Sequence, residues 1–430
     1  MVSAVSGQLN NYVDYLVKGE DGKAHRFDHT TITVNLEGLK DSPQMYDSAL
    51  AALNAWEVTT GLRFNVVTNA GADIVFNNDG QGSAYASTSY NGSGYTTSAE
   101  VNVSKDWMNG FPASERWGDG SYGQQTFIHE IGHALGLNHG GPYDGSGTYS
   151  KNAIFDIDTH QYSVMSYFSQ SEYRASGASD INLSSPMIAD VMAIQELYGN
   201  LSVNAGNTVY GKGAAAALRH TDLGQLSDSA YTIMDTGGLD TLDFSNAMAR
   251  CVVDLRPGSF SDVNGNKGNV TIAQGTVIEI ACGSAYRDTI VGNGAGNTLY
   301  GGGNSDKLTG SGGADRLLGQ YGHDVLVGGY GKDTLSGGGG NDRLAGNGGT
   351  DRLTGGAGSD VFVFAHGGGR DTVTDFQDGT DRIQIKSPSI EYSDIDISDS
   401  GGSAIVAFDN IKIVLDGINA SQLTASDFIL

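Results

Sequence analysis

No run of about 18 apolar residues, the length that crosses a bilayer as a helix, occurs in this 430-residue chain. The start of the chain has no basic cluster leading into an apolar stretch, its first lysine being Lys18. Neither a membrane span nor a secretory signal peptide is therefore expected. Basic residues are scarce: 24 Lys and Arg face 49 Asp and Glu, a formal charge of −25. Phosphate binding needs clustered cationic side chains, so nucleic acid is excluded as a partner, and bound cations are the natural counterpart of the carboxylates. Cysteine is nearly absent, and the even pair Cys251 and Cys282 does not fix the redox compartment. No serine has glycine two residues before and two residues after it, which removes the nucleophile elbow that a lipase needs.

Glycine, at 64 residues, is about twice as common as usual, and it concentrates between residues 283 and 363. The composition divides the chain near Gly199 into two expected domains, residues 1–199 and 200–430. In the first, Ser42-Pro43 reads as an N-cap with proline in the first turn. Met45, Ala49, Ala52, Leu53 and Trp56 then recur at helical spacing before Gly61. Short alternating or β-branched runs at residues 31–36, 63–67, 72–76, 84–86 and 101–103 predict a small mixed sheet packed on helices.

Residues 283–363 align as nine units of nine residues. Position 1 is Gly283, Gly292, Gly301, Gly310, Gly319, Gly328, Gly337, Gly346 and Gly355. Position 6 is Asp288, Asn297, Asp306, Asp315, Asp324, Asp333, Asp342, Asp351 and Asp360, and position 8 is always apolar, from Ile290 to Phe362. A flexible linker would not keep an apolar residue in that register. The pattern predicts a glycine-rich turn facing a hard cation, followed by a three-residue strand whose central side chain points inward, two units closing one flattened coil. A core one side chain thick is not expected to form without its ions, so folding of this part should be coupled to cation binding.

The segment His129-Glu130-Ile131-Gly132-His133-Ala134-Leu135-Gly136-Leu137-Asn138-His139 reads H-E-x-x-H-x-x-G-x-x-H. On a helix, His129 and His133 share one face and present two imidazoles to one Zn²⁺. Gly136 permits a positive-φ turn that swings His139 back as the third ligand and leaves one coordination position for water. Glu130 is placed to take the proton from that water. A calcium-dependent adhesin could carry the same repeats but would have no use for this constellation.

The long zinc motif resembles that of metzincin proteases, and Ser163-Val164-Met165-Ser166-Tyr167 resembles their methionine turn, with Met165 beneath the metal. In the serralysin branch the tyrosine of this turn is a displaceable zinc ligand that donates to the oxyanion, which implies that role for Tyr167. Serralysin resemblance extends through Asp190-Val-Met-Ala-Ile-Gln-Glu-Leu-Tyr-Gly and the repeats, which are similar to the RTX nonapeptide of a calcium-bound parallel β-roll. The implied fold is an α+β metzincin catalytic domain followed by an all-β roll with flanking sandwich strands. The implied calcium ligands are backbone or side-chain oxygens of Ser284, Tyr286, Asp288, Asn297, Gly301, Gly303, Asp306, Gly310, Gly312, Asp315, Gly319, Tyr321, Gly322, Asp324, Gly328, Tyr330, Gly331, Asp333, Gly337, Gly339, Asp342, Gly346, Gly348, Asp351, Gly355, Ala357 and Asp360. Asp235, Gly237 and Asp240, with Glu279, match the family's calcium segment before the roll.

The resemblance implies a monomeric, secreted endopeptidase of broad specificity with one catalytic zinc and several calcium ions. Ala84-Tyr85-Ala86 resembles the family's edge strand for extended substrates. Asp427-Phe428-Ile429-Leu430 resembles its signal for the type I secretion apparatus. Two departures stand out. Members start with a longer segment, so residues 1–17 are either a leader remnant or a mature helix. Members also generally lack cysteine, whereas Cys251 and Cys282 bound a 32-residue segment between predicted strands. The pair reads either as a disulfide, the favoured expectation, which would add roughly 3 to 4 kcal/mol, or as two buried free thiols.

Overall fold

The computed structural model describes residues 2–79, 82–222, 229–365, 367–387, 390–409 and 411–430, without the side chains of residues 2–6, 219 and 220. Two compact units result. The first comprises Met1–Gly206, Ala214–Gly238 and Asn266–Thr276, and the second comprises Asn207–Gly213, Leu239–Gly265 and Val277–Leu430.

The first unit is α+β. Its five-stranded sheet has the order Arg63–Val66, Thr31–Asn35, Ile74–Asn77, Thr96–Val103, Ala84–Tyr90, with only the last pair antiparallel. Helix Pro43–Thr60 starts on its proline and stops at Gly61, whose φ of 78° no β-carbon would favour. Met45, Ala49, Ala52, Leu53 and Trp56 are its buried stripe. Trp56 also donates its indole N–H to the carbonyl of Ile128 at 3.0 Å, fastening this helix to helix Tyr122–Ala134. Ser121 caps the latter by accepting the Gln124 N–H at 3.1 Å. Helix Val2–Lys18 packs on helix Ile188–Tyr198.

The second unit is built from parallel strands in two facing sheets. One has the order Thr298–Gly303, Arg316–Tyr321, Thr334–Gly339, Arg352–Ala357, and the other Lys307–Gly312, Val325–Gly331, Arg343–Gly349, Val361–Ala365. Pairing is in an eighteen-residue register, Leu299 with Leu317 and Leu308 with Leu326, so successive units alternate between the sheets. Every position-8 side chain is fully buried between them. The strands are longer than the three residues expected, because pairing runs on through positions 1 to 3 of the next unit, as in Gly302 with Gln320. Beyond the repeats, Arg370–Val373 and Arg382–Lys386 extend the two sheets, and Asp396–Ser400, Ser403–Phe408 and Ile411–Asp416 form an antiparallel addition. The terminal Phe428–Ile429 pairs with Arg382–Lys386, with Asp427 and Phe428 buried.

The expected disulfide is corrected: Cys251 and Cys282 are separate thiols. The two residues belong to different sheets. Cys251 runs alongside Asp288 at the level of position 6, next to Val252–Asp254 in one sheet, whereas Cys282 pairs with Tyr300 at position 9 in the other. Denaturing the protein without reductant is expected to expose two titratable thiols. Fewer than two would contradict this arrangement.

Candidate active site and cation sites

The zinc-motif helix Tyr122–Ala134 runs under the edge strand, and Gly136 ends it with φ 109°. A β-carbon at Gly136 would stand 1.9 Å from the carbonyl oxygen of His25, so the chain can turn back there only without a side chain. The turn brings His139 Nε2 to 3.3 Å from His129 Nε2 and 3.0 Å from His133 Nε2. Two rings are fixed from behind: His129 Nδ1 donates to the Val164 carbonyl at 2.7 Å and His133 Nδ1 to the Leu137 carbonyl at 2.8 Å. With Nδ1 carrying the proton, each Nε2 lone pair faces the common point. Burial is the main force pushing all three imidazoles below their ordinary range, His139 to about 3. Burial thus favours the neutral form of each ring, the form in which Nε2 carries a free lone pair. Among the described residues, these three make the one group of three or more His, Cys, Asp or Glu side chains with ligand atoms within 4.8 Å of each other. Three neutral imidazoles converging on one point is a donor set that fits Zn²⁺.

Glu130 is buried beside them, and burial, then Asp144, pushes its carboxyl up to about 8. It lines a cleft of about 440 Å³ with Ser83, Ala84, Trp107, Tyr122, His129 and Tyr167. Met165 is fully buried; a β-carbon on Gly132 would lie 2.5 Å from its Sδ, so helix and turn are in close contact. Tyr167 lies with its ring 4.5 Å from that of His139, and its hydroxyl accepts the Gly145 N–H at 3.2 Å. Ala84, Tyr85 and Ala86 begin the edge strand, and Ala84 reaches the cleft.

Sequence reasoning missed what holds the methionine turn. Asp190, fully buried at the start of helix Ile188–Tyr198, accepts the Ser163 hydroxyl at 2.5 Å and the Val164 and Met187 N–H groups at 2.7 and 2.8 Å. Val164 thus links Asp190 to His129. The acid had been visible only as part of a helix, and nothing in its spacing announced the turn as its partner.

In the roll, each position-6 aspartate uses one oxygen as a rung. Asp324 Oδ1 accepts the Asp306 N–H and Asp342 Oδ1 the Asp324 N–H, both at 2.8 Å. The other oxygens, Oδ2 of Asp306, Asp315, Asp324, Asp333, Asp342, Asp351 and Asp360, are buried without a hydrogen-bond partner. A β-carbon on the position-1 glycine of the same unit would meet that oxygen at 2.2 to 2.6 Å. Buried, orphaned carboxylate oxygens repeating at a fixed interval are the donors that a hard cation takes. Asp288 differs, its Oδ2 accepting from the Ser284 backbone at 2.5 Å and from the hydroxyl at 2.8 Å. Asn297 binds the carbonyl of Ile278 through its amide. The ladder also continues past the repeats, Asp371 and Asp381 accepting the N–H groups of Asp351 and Asp360 at 2.9 Å. Their offsets of 20 and 21 residues hid them from a nine-residue alignment. Of the expected segment before the roll, Asp235 and Gly237 fall in the first unit and Asp240 and Glu279 in the second. Asp235 Oδ1 accepts the Gly237 N–H at 2.9 Å, and Glu279 accepts the Asp240 N–H at 2.8 Å.

A family model described as peptidase M10 serralysin C terminal matches residues 199–429, and the matrixin model of peptidase M10 matches residues 26–145. Metallopeptidase AprA of Pseudomonas marginalis is 34% identical over 62% of this chain and 58% of its own length. Serralysin of Photorhabdus luminescens is 42% identical over 41% of this chain and 37% of its own. Serralysin C of Dickeya chrysanthemi is 43% identical over 40% and 37%. The chain thus aligns with between about a third and three fifths of the length of these relatives.

Gly136→Ala is expected to abolish stoichiometric zinc binding in a chelator-competition titration, since the side chain would displace His139 from the other two histidines. Wild-type affinity in that variant would contradict the geometry.

Proposed function

Because the chain belongs to the serralysin-type M10 peptidases, we propose that it is a secreted zinc-dependent endopeptidase that hydrolyses peptide bonds in proteins with broad specificity. The observation that carries this reading is the set of three neutral imidazole nitrogens beside a buried carboxyl in an open cleft. When bound by His129, His133 and His139, Zn²⁺ supplies a Lewis acid and lowers the pKa of water.

The chain's own residues supply the rest. Glu130, whose proton affinity burial raises, in its ionised form takes up a proton from water and returns it to the leaving amine. The Tyr167 hydroxyl already accepts from Gly145, which leaves its own proton to point into the cleft towards a developing oxyanion. Among the described residues, strand Ala84–Tyr90 has one neighbour in its sheet, so its outer edge can pair with an extended substrate backbone. Recognition through backbone is indifferent to most side chains, which is the source of the broad specificity. For the second unit, the orphaned aspartate oxygens support Ca²⁺-dependent folding. The C-terminal Asp427-Phe428-Ile429-Leu430 supports export by a type I apparatus.

Casein hydrolysis by protein refolded with Zn²⁺ and Ca²⁺ tests the activity. Glu130→Ala is expected to lower it by at least about a hundredfold, and Tyr167→Phe to lower turnover by about a hundredfold. Activity insensitive to both changes would contradict the assignments.

Calcium has its own test. Burial raises Asp306 to about 8, Asp371 to about 7, and Asp315, Asp342 and Asp360 to about 6. Unfolded aspartate titrates near about 3.9. Folding without a cation therefore disfavours the ionised form, and stability falls as pH rises from the lower value through the higher ones. In chelator, the strand signal in circular dichroism is expected to persist better at pH 5 than at pH 8, and Ca²⁺ at pH 8 to restore it. Equal signals at both pH values would contradict cation-dependent folding.

A further inference from the structure

We propose that Tyr143 is a positioning residue for the catalytic centre, holding the third histidine and Tyr167 in place from a buried anchor on Asp158 that the N-terminal helix shares. The inference rests on the zinc-peptidase reading, and it adds a residue that lies outside the zinc motif and outside the methionine turn.

Tyr143 is buried, and its hydroxyl lies 2.8 and 3.0 Å from the two oxygens of the fully buried Asp158. Tyr12, from helix Val2–Lys18, donates to the same carboxylate at 2.9 Å. Two phenols from distant parts of the sequence thus converge on one acid. The Tyr143 ring lies nearly parallel to that of His139, 5.5 Å between centroids at 27°, and leans on Tyr167 at 5.0 Å. His129 and His133 are braced by carbonyls of the methionine turn and of the motif itself; His139, beyond the helix, is braced by Tyr143.

The intervening backbone is equally constrained. A β-carbon on Gly140 would stand 2.2 Å from Asp158 Oδ1 and 2.4 Å from the Tyr12 hydroxyl, so the residue next to His139 is pressed against the anchor. Two residues past Tyr143, Gly145 donates to the Tyr167 hydroxyl. One short segment therefore touches the histidine, the tyrosine and the anchor.

The test uses the full chain in two variants and two readouts: zinc affinity by chelator competition, and the visible spectrum of the Co²⁺-substituted protein. Tyr143→Leu, which removes ring and hydroxyl, is expected to weaken zinc binding about tenfold or more and to shift the cobalt bands. Tyr143→Phe keeps the ring, so it is expected to retain zinc affinity within about threefold while lowering kcat more than it raises KM. Wild-type zinc affinity and cobalt bands in Tyr143→Leu would overturn the proposal. Should that variant not fold, wild-type cobalt bands together with wild-type kcat in Tyr143→Phe would overturn it. Wild-type protein that binds zinc without cleaving casein would strike the peptidase reading instead and leave the metal-site measurement standing.

Discussion

Two hydrogen bonds behind the histidines, from His129 Nδ1 to the Val164 carbonyl and from His133 Nδ1 to the Leu137 carbonyl, set the tautomers on which the first unit depends. An imidazole that donated through Nε2 would turn a proton, not a lone pair, towards the metal position. The acceptors are supplied by different segments. Leu137 belongs to the turn that Gly136 makes possible, and Val164 belongs to the methionine turn pinned by Asp190. Helix Pro43–Thr60 secures the zinc helix through Trp56, while Asp158 gathers Tyr12 and Tyr143 around His139. The architecture of the unit is largely a means of aiming three nitrogens.

The second unit solves a different problem with comparable economy. Its leucines form a core one side chain thick, too little apolar surface to order nine glycine-rich units alone. Its aspartates fill both remaining needs. One oxygen closes a backbone rung and the other stays buried and bare. Glycine at position 1 is required because the carboxylate occupies the place of its side chain. Glycine at position 4 adopts positive φ, as in Gly331 at 140°, where a β-carbon would stand 1.6 Å from the Gly313 carbonyl oxygen. Burying bare carboxylate oxygens is unfavourable unless a cation accompanies them, which is the physical basis for the cation dependence proposed for this unit.

Much of this was legible in the chain. The zinc motif and the nonapeptide register are short-range patterns with fixed spacing, and both the fold class and the family could be read from them. The edge strand near Ala84 was recognisable by resemblance, and it does form the sheet edge. What stayed hidden was long-range. Asp190, Asp158 and Tyr12 act through partners as far as 146 residues away, with no periodicity to betray them. Asp371 and Asp381 extend the ladder at altered offsets. The disulfide expected between Cys251 and Cys282 failed because spacing alone ignored which sheet each strand enters.

X-ray absorption at the zinc edge, on protein purified in the presence of Ca²⁺ and Zn²⁺, addresses the centre most directly. The account predicts one zinc per chain with three imidazole nitrogens at about 2.0–2.1 Å and light-atom donors completing the shell. A shell with fewer than three imidazoles, or one containing sulfur, would contradict it.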